Sequence, residues 1–91
     1  AGGPKKTYLG KELAQDIVHR IREVDGAVTL NQRSMVVEGI YAESAAAACI
    51  KANDATAGFI VVFSKDDKKI GSLESRLVQT AAGFLGKQLT S

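Results

Sequence analysis

The sequence predicts an α+β domain, an antiparallel sheet flanked by an N-terminal and a C-terminal helix. Three observations carry that prediction. Leu13, Ile17, Ile21 and Val24 recur at helical spacing early in the chain. Phe59-Ile60-Val61-Val62-Phe63 is an unbroken apolar run, too short for a helix and rich in β-formers, so it reads as a central strand buried on both faces. Helical periodicity then returns over residues 73–89. At 91 residues the chain fits one domain with a thin core, which a partner chain would reinforce.

Taken in order, Ala1-Gly2-Gly3-Pro4 reads as a loop. The first helix is predicted over residues 9–24, with Val18 and Ala14 widening its apolar arc and Glu12, Asp16, His19, Arg20 and Glu23 on the other side. Asp25-Gly26 stops it, with Gly26 suited to a left-handed cap. Residues 27–30 suit a short strand and residues 31–34 a turn. Residues 35–40 suit a second strand whose Gly39 marks a bulge. Residues 43–51 are ambiguous. Four consecutive alanines favour a helix by propensity. The short span between turn signals, and the arm that follows, favour a strand over 46–51. Asn53 to Gly58 is rich in turn formers and closes a hairpin onto the 59–63 strand. Residues 64–69 form a charged loop. Ser72 is a suitable N-cap for the last helix, and Glu74 and Lys87 complement its dipole.

The last helix carries more apolar surface than one core contact requires. Leu73, Leu77, Ala81 and Phe84 fall in one sector, and Val78, Ala82, Leu85 and Leu89 in the next. One sector is expected to cover the chain's own sheet and the other to meet a second subunit, with Val78, Ala82, Leu85 and Leu89 as the interface. Changing Val78 and Leu85 to Gln is then expected to shift the assembly to smaller species. Gly83 and Gly86 either admit a neighbouring helix or relieve crowding against the chain's own sheet; each costs roughly 1 kcal/mol relative to Ala.

Candidate chemistry is sparse. The net charge is +2, from 12 basic and 10 acidic residues, with no basic stripe interleaved with aromatics. Direct nucleic-acid contact by this segment is therefore not expected. His19 lies on the polar face of its helix, near Glu23, as a solvated side chain. Cys49, the single cysteine, reads as a small core residue; Lys51 on the same strand face is the one feature that would favour a thiolate. A lone cysteine fits a reducing compartment. Neither metal-ligand spacing nor a phosphate-cradling loop is present, and Ser64 and Ser72 have no histidine base in view. Lys65-Asp66-Asp67-Lys68-Lys69 reads as a solvated loop. No apolar run approaches a membrane span and no signal-peptide core is visible. A non-enzymatic, cytoplasmic domain with no cofactor or metal is expected.

Phe63-Ser64-Lys65-Asp66, the stretch from Gln79 to Gln88 and Lys5-Lys6-Thr7-Tyr8-Leu9 together resemble the C-terminal domains of the stage V sporulation protein T family. These are GAF-like domains attached to an AbrB-type DNA-binding hairpin in bacterial transcription regulators. The resemblance is strongest over residues 58–88 and weak over 25–51. Asn53-Asp54-Ala55-Thr56-Ala57-Gly58 keeps the Asp and final Gly of the family's turn but lacks its proline, and Ala45 to Ala48 is unusual. The family's extra N-terminal helix and strand, and its DNA-binding hairpin, find no counterpart. A truncated GAF-like domain, its C-terminal part, is the expectation for residues 1–91.

The resemblance implies regulation of sporulation genes, a homo-oligomer held by helical packing, and sensing of an unidentified small molecule. It carries over no catalytic residue. A ligand pocket is expected between the sheet and the first helix, near Ile50, Phe59 and Val61. A cavity there lined by Ile50, Val61 and Ile21 favours sensing; a solid core there favours a purely structural dimerisation or tetramerisation module.

Overall fold

The computed structural model describes residues 6–24, 26–65 and 70–90. The loop expected at residues 1–4, Asp25 of the helix stop, and residues 66–69 of the charged loop lie outside the described residues. The elements run β1 (Lys6–Gly10), α1 (Gln15–Glu23), β2 (Ala27–Leu30), β3 (Ser34–Val37), β4 (Ile40–Ala42), β5 (Ser44–Ala52), β6 (Ala55–Ser64) and α2 (Ser72–Thr90). The main sheet is antiparallel throughout, in the order β1-β6-β5-β2, and β3 and β4 form a separate hairpin. The α+β architecture with two helices agrees with the sequence prediction.

β6 is the central strand that its apolar run demands. Phe59, Val61 and Phe63 point to one face of the sheet, where they join Ile17 and Ile21 of α1 and Val36 of β3 in one core. Ile60 and the half-buried Val62 point to the other face, toward Val78 and Ala82 of α2. The alanines of β5 divide in the same way, Ala45 and Ala47 toward α1, Ala46 and Ala48 toward α2, and all four are buried. Small side chains on both faces let both layers approach closely. The ambiguous 43–51 segment is thus a strand because two cores need a thin layer between them, which outweighs alanine's helix propensity.

Three element assignments differ from the sequence reading. The first helix begins at Gln15 rather than Leu9, because residues 6–10 pair with β6 from Lys6↔Phe63 to Gly10↔Phe59. Without β1 the free edge of β6 would leave its backbone groups unpaired. α1 also ends earlier, at Glu23: Val24 is already extended, and Gly26, at φ +133°, turns the chain into β2 rather than capping the helix. Gly39, at φ +84°, sits in the turn between β3 and β4, so residues 35–40 are two strands, and the register irregularity falls between Met35 and Val37. The long 53–58 turn shrinks to Asn53-Asp54, whose φ values of 53° and 65° match a two-residue turn of the type I′ class.

Candidate functional site

α2 is anchored from its first residue. The Ile70 N–H donates to Ser44 Oγ at 3.0 Å, which docks the incoming chain on the start of β5. The Ser75 N–H donates to the Gly71 carbonyl at 3.0 Å, and the Gly71 N–H donates to Glu74 Oε1 at 2.8 Å. Gly71 therefore stands in the capping position, with Ser72 already helical. Glu74 closes the first turn as the acidic half of a capping box does. Its side chain is buried while doing so.

From there α2 lies chiefly over β5, flanked by β6 and β2. Glu74, Val78, Ala82 and Gly86, one turn apart, form the stripe that meets the sheet. A Cβ on Gly86 would strike the Lys51 carbonyl oxygen, so this glycine is where helix and strand touch most closely. Gly83 has open space where a Cβ would stand. Of the two roles weighed for the glycines, Gly86 serves contact with the chain's own sheet.

The two apolar sectors of α2 exist, but they are exchanged relative to the expected interface. Val78 (0% exposed) and Ala82 belong to the chain's own core, and Leu85 is half-buried beside them. Leu89 is exposed. The open sector is Leu73, Leu77 and Phe84, each more than half exposed at 65%, 56% and 61%. At 100° per residue these three lie within about 40° of one another, a continuous stripe along the flank. Periodicity fixes the angle between two sectors; it does not say which one the sheet takes.

The expected ligand residues do not come together. Val61 and Phe59 face α1, whereas Ile50 faces α2 on the opposite side of the sheet. The cause is a register shift. Lys51 pairs with Thr56 but Ile50 pairs with Gly58, leaving Ala57 as an extra residue on β6. One such insertion moves every later side chain to the other face. In an unshifted register Ile50 would pair with Ala57 and share a face with Phe59 and Val61. Val61 is close-packed core, whereas Ile21 borders a 440 Å³ cleft with Cys49 and Gln79, so among the described residues no one cavity joins Ile50, Val61 and Ile21.

Further open space is divided among separate clefts. A cleft of 630 Å³ separates the start of α1 from the β3–β4 hairpin, and Ile17 and Leu30 line it together with Asp16, Arg20, Arg33 and Tyr41. Arg33 stands 5.5 Å from the centre of the Tyr41 ring and 3.9 Å from Glu43. Phe59 borders a second, 820 Å³ cleft with Tyr8 and Val18, and Ile50 a third, 250 Å³, with Leu9, Leu85 and Leu89. His19 is exposed. Cys49 is half-buried with its Sγ 3.4 Å from Thr56 Oγ1. Among the described residues no three His, Cys, Asp or Glu side chains are grouped to hold a metal ion, and no helix is long and apolar enough to cross a membrane.

The family model described as stage V sporulation protein T C-terminal, transcription factor, matches residues 1–90. The chain belongs to that family. Within the stage V sporulation protein T family, the chain is 33% identical to stage V sporulation protein T of Bacillus subtilis (strain 168) over 92 aligned positions. The match takes in 98% of this chain and 51% of that relative, so the chain spans about half the length of the curated relative it matches.

Proposed function

We propose that the chain is a non-catalytic regulatory domain of a bacterial sporulation transcription factor, and that it acts by joining subunits in the cytoplasm. Family membership supports the transcriptional role. The observation that supports subunit joining is the open stripe Leu73, Leu77 and Phe84. A helix with one core contact has no need of a second apolar sector, and contiguous exposed apolar surface marks interaction sites. The layered arrangement, an antiparallel sheet with a helix on each face, supports a GAF-like reading. Charges without a basic stripe support assigning DNA contact to a part of the factor other than these 91 residues.

The solid core around Val61 favours a purely structural dimerisation or tetramerisation module. The cleft beside α1 favours a domain that also responds to a small molecule, which would bias two assemblies by differential affinity. Sedimentation velocity on a Leu77→Gln/Phe84→Gln variant tests subunit joining. A fall in sedimentation coefficient with an unchanged circular dichroism spectrum is expected. An unchanged coefficient at every concentration would remove the proposal.

A further inference from the structure

The cleft between α1 and the β3–β4 hairpin combines charges of both signs with an apolar floor. We propose that it binds a free α-amino acid with an apolar or aromatic side chain. The inference rests on the ligand-responsive reading above and names the ligand class for it.

Asp16 and Arg20 stand one turn apart on α1 and both border the cleft. Among the described residues neither has an ion-pair or hydrogen-bond partner. Arg33 comes from the chain leading into β3, held only loosely to Glu43 at 3.9 Å and above the ring of Tyr41. Ile17 and Leu30 form a buried floor, and Met35 and Tyr41 supply exposed apolar walls.

This charge pattern selects among small ligands. A simple anion meets two guanidinium groups but also the Asp16 carboxylate. A simple cation meets Asp16 but also two arginines. A zwitterion satisfies both signs: its carboxylate accepts from the guanidinium of Arg20 or Arg33, and its ammonium donates to Asp16. The side chain then rests on Met35 and Tyr41. The volume of 630 Å³ lies within the range of small-molecule sites. The charged groups are exposed, so the affinity is expected near a Kd of about 1 mM.

The test is an amide chemical-shift titration of the labelled chain with L-phenylalanine and its two half-molecules, 3-phenylpropanoate and 2-phenylethylamine. L-phenylalanine is expected to shift the amides of Asp16, Arg20, Arg33 and Tyr41, and each half-molecule to bind about tenfold more weakly or worse. Arg20→Gln is expected to weaken L-phenylalanine and the propanoate while sparing the amine. Asp16→Asn is expected to weaken L-phenylalanine and the amine while sparing the propanoate. Both side chains are exposed, so the fold should survive, and circular dichroism checks it. Equal binding of a half-molecule, shifts confined to α2, or no shift at all would overturn the assignment. The light-scattering mass of the same samples separates the readings: lost binding with the assembly intact removes only the amino-acid assignment, whereas a strictly monomeric chain removes the subunit-joining reading.

Discussion

Gly83 and Gly86 lie one turn apart on α2, and their surroundings set opposite expectations. Both cost helix stability relative to alanine. At Gly83 a methyl group meets nothing, so Gly83→Ala is expected to raise unfolding stability by up to about 1 kcal/mol. At Gly86 the added methyl meets the backbone carbonyl of Lys51, which has no side-chain freedom with which to yield. Helix and sheet must then move apart, and overpacking of that kind costs about 1–3 kcal/mol. Urea denaturation of the two variants checks the pair; a gain for Gly86→Ala would show that α2 does not sit where described. The sequence names both glycines but cannot separate them, because the difference lies in what the sheet presents. Glu74 was legible only in part. In the sequence it is only a first-turn acid that complements the helix dipole, and its role as acceptor for the Gly71 N–H appears only once the helix start is located.

At the scale of elements, legibility follows contact range. The central strand and α2 were readable because their signals lie within the segment: an unbroken apolar run, and a 3.6-residue period. β1 was not, since its five residues are a strand only through pairing with residues 59–63, far along the chain. The face on which Ile50 lies was not readable either, because it depends on the extra residue Ala57. That gives a sharp expectation. Deleting Ala57 removes the extra residue and leaves Lys51↔Thr56 and Ile50↔Gly58 in regular alternation, so the variant is expected to keep cooperative unfolding, as is Ala57→Ser. Loss of the cooperative transition on deleting Ala57, in thermal denaturation, would contradict the register. The two stripes of α2 give a second contrast. Val78→Gln places an amide in a fully buried site and is expected to cost about 2–4 kcal/mol. Leu77→Gln, on the open stripe, is expected to change the stability of the isolated fold by less than about 0.5 kcal/mol. The substitution of Val78 and Leu85 first suggested by the sequence would therefore report unfolding instead of dissociation.

The whole molecule is a sheet covered by α1 and the β3–β4 hairpin on one face and by α2 on the other, with an apolar stripe left over along α2. Burying Leu73, Leu77 and Phe84 from each of two copies is worth on the order of 6–12 kcal/mol. That is the same size as the cost of holding two molecules together, so association is expected to depend on concentration. Family membership was legible from motifs near both ends of the chain and is shown over residues 1–90. The candidate site was legible only as a surplus of apolar surface on one helix. The most direct measurement is the light-scattering mass of the unaltered chain across a concentration series. The mass is expected to rise from the 9.6 kDa of one chain toward twice that value or more. A constant 9.6 kDa at every concentration would contradict it.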